Sequence, residues 1–194
     1  GPLLRREVVA TDVSISGASV RITRDEHGVL NIADLLEGEG APPRFDIGRI
    51  AIDRLRLIYR DLGGGAQYEL ADITVQTGRL APGVATPLSV AAVLSDAPET
   101  FNVRLKLKAR LDLDLDDQRY ALGAARVELN GRVSGLSDLA AQATGNAVVH
   151  GRTKRIEVSA LEAGISGTYG EEAIPVTFGA ATLAVVPARA DGQA

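Results

Sequence analysis

Between Phe101 and Asp116 apolar and polar residues alternate without a break. Phe101, Val103, Leu105, Leu107, Ala109, Leu111, Leu113 and Leu115 hold the odd positions, and Asn102, Arg104, Lys106, Lys108, Arg110, Asp112, Asp114 and Asp116 the even ones. A strand, whose side chains point to opposite faces in turn, places such a set on one side. On a helix of 3.6-residue period the same leucines would circle the cylinder. At about 3.3 Å per residue the run spans roughly 50 Å, whereas a typical strand has about 5–6 residues. The predicted fold is all-β, built on a long sheet that is apolar on one side.

The flanking sequence supports this. Val8 to Ile15 and Ala18 to Arg24 read as paired strands joined near Ser16-Gly17, and Asp25 to Gly28 as a turn. Leu30 to Glu37 reads as the one short helix, with Asn31 as its cap and Gly38 as its stop. Gly40 to Pro43 is then a loop. Ile50 and Ile52, a turn near Asp53-Arg54, then Leu57 and Tyr59 repeat Val13, Ile15, Val20 and Ile22 at a constant offset, with Gly28 mapping to Gly65. The repeated unit reads as a hairpin, and such repeats suggest stacked, similar units. Gln67 to Thr77 and Thr86 to Ser95 are predicted strands either side of a turn at Gly78 to Gly83. After the long strand and a turn at Asp117 to Arg119, Tyr120 and Leu122 fall on even positions but Val127 and Leu129 on odd ones. A bulge near Ala124-Ala125 explains that switch. Ser134 to Ala143 is ambiguous between helix and strand; Ala147 to His150, Arg155 to Ala160 and Ile174 to Val186 complete a meandering, mostly antiparallel set. Gly1-Pro2 reads as a tag remnant, residues 3–187 as a single domain, and Ala188 to Ala194 as a disordered tail.

Catalytic chemistry has little to stand on. There are two histidines and no cysteine, so a histidine triad, a thiol nucleophile or a Cys-ligated zinc is not predicted. Asp112, Asp114 and Asp116 start like a calcium loop, but Asp117 stands where glycine is needed and Gly123 where the bidentate glutamate belongs. They read as a solvated strand face, and His27 as part of a solvated turn. Gly63-Gly64-Gly65 lacks the Lys-Ser or Lys-Thr and the helix of a phosphate loop, and reads as a hairpin turn. A net charge of −4 argues against nucleic acid. No catalytic residue, metal or cofactor is predicted, and a hydrolase is the least favoured of three readings.

What remains is the apolar strand face. An ordinary sandwich core is one reading. The strands are unusually long, however, and with three Phe, four Tyr and no Trp or Met there is little to plug a wide interior. A strongly curved sheet with an apolar groove, or an open sandwich-like shell, would instead hold acyl chains, each buried methylene contributing about 0.8 kcal/mol. The predicted lining is Val13, Ile15, Val20, Ile22, Ile50, Ile52, Leu57, Tyr59, Phe101, Val103, Leu105, Leu107, Leu111, Leu113 and Leu115. The basic half of the long strand is expected to be solvated.

Several pieces taken together resemble a known family. They are Val13-x-Ile15-x-Gly17-Ala18-x-Val20, Arg24-Asp25, Gly28-x-x-Asn31-Ile32, Phe45-Asp46-Ile47, Ile50-x-Ile52 and Leu57-x-Tyr59-Arg60-Asp61. Thr77-Gly78-Arg79-Leu80-Ala81-x-Gly83 with Thr86-Pro87-Leu88 is the most telling. In order and spacing these resemble the amino-terminal region of the AsmA family of bacterial envelope proteins, over about Val8 to Val133. The resemblance implies a periplasmic domain, tethered to the inner membrane by an anchor outside this chain. It also implies kinship with bridge-like lipid-transfer proteins and a role in outer-membrane biogenesis and lipid homeostasis. Phospholipid acyl chains and envelope assembly proteins are the partners it implies. The rival expectation is a protein-interaction or scaffold module, docking partners by strand addition at a sheet edge and blind to lipid.

Overall fold

The computed structural model describes residues 7–32, 44–96, 100–170 and 172–185. Twelve strands are present: β1 (Glu7–Ala10), β2 (Val13–Ser16), β3 (Ser19–Arg24), β4 (Arg44–Ile47), β5 (Ile50–Asp61), β6 (Gln67–Thr77), β7 (Thr86–Asp96), β8 (Phe101–Asp114), β9 (Arg119–Val133), β10 (Leu136–His150), β11 (Arg155–Tyr169) and β12 (Glu172–Val185). From β5 to β12 each strand pairs antiparallel with the next, making one long meander. The all-β class and the long, mostly antiparallel sheet therefore stand. The described residues contain no helix, and neither closure of the sheet nor a strong curl is found. Of the expected helix, Leu30 forms a bridge with Arg24 instead. The Asn31 side chain bonds back to β3: its Oδ1 accepts the Thr23 N–H at 2.8 Å and its Nδ2 donates to the Arg21 carbonyl at 3.1 Å. The rest of that segment, the loop to Pro43, the first two residues and the tail lie outside the described residues.

The amino-terminal strands break the antiparallel rule. β2 and β3 do not pair with each other; both lie parallel to β5, end to end along it, and β1 lies parallel to β4. The register matches Val13 with Ile50, Ile15 with Ile52, Val20 with Leu57 and Ile22 with Tyr59. The repeat is thus one coil of chain laid beside the next, and polar residues a full repeat apart also join: Arg24 to Asp61, Arg49 to Asp12, Ser16 to Asp53, each separated by 37 residues. The expected hairpins are not formed. What looked like a turn at Asp53-Arg54 is a bulge inside β5, with Arg54 at φ 51°. At the corner between β4 and β5, Gly48 is required, because a Cβ there would lie 2.3 Å from the Thr11 carbonyl oxygen.

Bulges recur along the sheet. Asp72 in β6, Ala124 in β9, Asp138 in β10 and Ala160 in β11 also have positive φ, and the register slips beside each. Each extra residue flips the alternation that follows. The predicted bulge near Ala124-Ala125 is present. Of Ser134 to Ala143, Ser134-Gly135 is a turn and Leu136 onward is strand, the start of β10, which runs on through Ala147 to His150; the segment from Arg155 continues to Tyr169. The long strand is shorter than predicted by two residues, and Leu115 sits in the following turn, where its carbonyl accepts the Gln118 N–H at 3.3 Å.

Candidate functional site

Cross-strand partners share a face, so the register shows where the apolar side chains gather. One row runs Ile15, Ile52, Val75, Val90, Leu107, Val127, Ala143, Ala163, crossing eight strands with no polar member. Beside it lie Ala92, Leu105, Leu129, Ala141 and Ile165, and then Val20, Leu57, Leu70, Leu94 and Val103. Leu111 joins Thr86, Leu122, Ala147 and Val158, while Leu113 joins Tyr120, Val149 and Ile156. At one end Ile22 meets Tyr59 and Tyr68, with Tyr59–Tyr68 and Tyr68–Phe101 ring centroids stacked 6.3 and 6.2 Å apart. Every predicted lining residue within a strand thus lies on one face. Leu115, in its turn, is outside the rows.

The bulges make that possible. Ile50 and Ile52 are even, Leu57 and Tyr59 odd, and the extra residue at Arg54 returns both pairs to the same side. Asp72 does the same for Leu70 and Val75, and Ala160 for Val158 and Ala163. Sequence reasoning confined the lining to β2, β3, β5 and β8 and so missed the contributions of β6, β7 and β9 to β11. In β7 the signal was legible as Leu88, Val90, Ala92 and Leu94 on alternate positions. In β10 it was fainter, because Ala141, Ala143 and Ala147 are small and Ala140 and Val148 on the other face are as apolar as they are.

Little covers this face. Only Ile73, Leu80, Ala81, Ala92, Val103, Ala109 and Leu139 are buried apolar residues among those described, and Thr86 is the one fully buried side chain. Ile15, Val20, Tyr68, Tyr120, Val149, Ile156 and Ile165, all in the apolar rows, stand exposed at 36–43%. The accessible surface of 13410 Å² exceeds by about half the roughly 8,800 Å² expected of a compact monomer of this mass. A sheet with one apolar face ordinarily buries it against a second layer. Across β9 to β11, where alanines alternate with larger residues, the face dips into an open depression of ≈ 230 Å³ lined by Val127, Leu129, Ala141, Ala143, Ala163 and Ile165. That is smaller than the roughly 300–1,000 Å³ of a drug-sized pocket and suits a segment of a flexible apolar chain.

The opposite face is polar and partly laced by ion pairs. Arg79 grips Asp46 through two bonds of 2.8 and 2.7 Å and holds its carboxyl below the usual range. Arg56 does the same to Glu69 through two bonds of 2.7 Å. At the end of the apolar face, where Arg24 and Asp61 continue the alternation of Ile22 and Tyr59, the Gly64 N–H first, then Arg24, lowers Asp61, which ties down the glycine turn between β5 and β6. Asp112 pairs with Arg119, and the His27 N–H donates to Asp25 Oδ1 in the expected turn. No cluster of three or more His, Cys, Asp or Glu able to hold a metal occurs among the described residues.

Among the described residues the ten-stranded sheet therefore has one largely polar face and one apolar face that no second layer covers, beside the two-stranded β1–β4 sheet. Comparison with protein-family models, with curated proteins and with solved structures returns no match.

Proposed function

We propose that the apolar face binds the acyl chains of phospholipid, as a non-enzymatic groove of an AsmA-like envelope protein. In this reading the domain is periplasmic, tethered to the inner membrane by an anchor outside this chain. It holds or passes phospholipid for outer-membrane biogenesis and lipid homeostasis. The observation that carries the reading is the continuous apolar row from Ile15 to Ala163, only partly buried across the sheet, with no second layer among the described residues. Uncovered apolar area of this extent marks a binding surface rather than ordinary scatter. Hydrocarbon needs no directional partner, which suits a row without polar members. Curvature of the sheet into a groove around the lipid belongs to the same proposal.

The test is native mass spectrometry of the purified chain, followed by organic extraction and lipid identification. Phospholipid at near-stoichiometric level is expected, and its loss in a Leu107→Asp/Leu111→Asp variant that keeps its β-sheet circular dichroism. If that variant unfolds, the face is a dry core and the proposal fails. A clean apo mass after incubation with envelope lipids favours the second reading, a lipid-blind interaction module. That reading is supported by β12, whose outer edge pairs with no described strand over its 14 residues and is open to strand addition.

A further inference from the structure

The polar face is uneven in its charge pairing. Arg49, Arg56 and Arg119 each hold a carboxylate. Arg104, Lys106, Lys108 and Arg110 of β8 and Arg126 of β9 form no ion pair among the described residues. Lys108 and Arg126 lie directly opposite each other in the ladder, an arrangement that costs stability unless an anion offsets it. The carboxylates nearest in register are Glu128, opposite Lys106, and Glu162, opposite Thr144; neither forms an ion pair with Lys108 or Arg126.

Between these two cations the sheet opens into a recess of ≈ 490 Å³, bounded by Lys108, Arg126, Thr144 and Asn146. Its walls are otherwise Ala124, Ala125, Gly145 and Ala160, so no bulky side chain fills it. The bulges at Ala124 and Ala160 flank it and spread the strands. Asn146 Oδ1 accepts the Ala124 N–H at 2.9 Å, which leaves the amide nitrogen of Asn146 as a donor. The recess thus offers a guanidinium, an ammonium, an amide and a hydroxyl, and no carboxylate.

We propose that this recess binds a phosphate group. Arginine presents a planar fork to phosphate oxygens and lysine a point charge, and the oxygens of one phosphate group can answer both cations at once. The site lies on the face opposite the acyl-binding rows and does not depend on them. The phosphate can come from solution or from an anionic lipid headgroup at a bilayer surface.

The experiment titrates inorganic phosphate into the isotopically labelled chain and follows amide chemical shifts, with sodium chloride at matched ionic strength as reference. Flotation with phosphatidylglycerol and with phosphatidylcholine vesicles forms the second arm. Saturable shifts at Lys108, Ala124 to Arg126 and Thr144 to Asn146, weakened at least tenfold in Lys108→Gln/Arg126→Gln, support a soluble phosphate ligand. Indifference to inorganic phosphate with flotation on phosphatidylglycerol alone, lost in the same variant, supports a headgroup. The proposal is overturned if neither binding occurs, or if chloride reproduces the shifts. It is equally overturned if Arg21→Gln/Lys154→Gln, which removes the same charge elsewhere, weakens binding as much.

Discussion

At the scale of single residues the polar face is held by short, directed charge pairs. They are exposed, and exposed pairs contribute little individually. Their pH dependence nevertheless has a definite sign. The carboxyls of Asp46, Asp61 and Glu69 are all lowered in the folded chain, by Arg79, by the Gly64 N–H with Arg24, and by Arg56 respectively. A carboxyl whose folded pKa lies below its unfolded value stabilises the fold above the unfolded value, near pH 4, and loses that contribution as pH falls through the lowered value. Thermal unfolding from pH 7 to pH 2.5 should show a nearly level Tm above about pH 5 and a fall below about pH 4. Arg56→Gln should lower Tm at pH 7 and make the acid fall shallower. A Tm that rises on acidification would contradict the pairing.

At the scale of elements the bulges are what keep one face apolar. Deleting Ala124 should realign β9 so that Val127 and Leu129 move to the polar face, because a one-residue slip inverts every following side chain. The expected result is loss of cooperative unfolding, read by circular dichroism. Ala124→Gly, which reaches the same positive φ without a Cβ penalty, should keep the fold. Phase breaks are legible in the sequence at both Ala124 and Arg54, the first with the signature of a bulge and the second with that of a turn. Both devices shift the alternation by one residue. What separates them is whether pairing continues on the same neighbour, and β5 continues along β6 on both sides of Arg54.

At the scale of the whole molecule, the apolar face of the ten-stranded sheet has no second layer among the described residues. Anything that binds the folded face and not the unfolded chain should therefore raise stability by mass action. Phospholipid at about one hundred times its Kd is expected to contribute about 2.7 kcal/mol, a Tm increase of roughly 5–10 °C for a chain of this size. Differential scanning calorimetry with and without lipid measures it. An unchanged Tm in saturating lipid would count against acyl binding.

The sequence alone determined the class and the side. Period-two alternation from Phe101 onward demanded strands with one wet face, and every lining residue named in a strand does share that face. It also revealed the 37-residue repeat, because identical spacing of apolar residues survives in a linear text. Only the tertiary structure decided that the two copies lie parallel, and that Leu115 leaves the sheet in a turn. The same holds for Lys108 facing Arg126 across a recess. Alternation records which side a residue takes but carries no information about its neighbour. Direction of pairing and cross-strand partners are set by backbone hydrogen bonds between segments far apart in the chain.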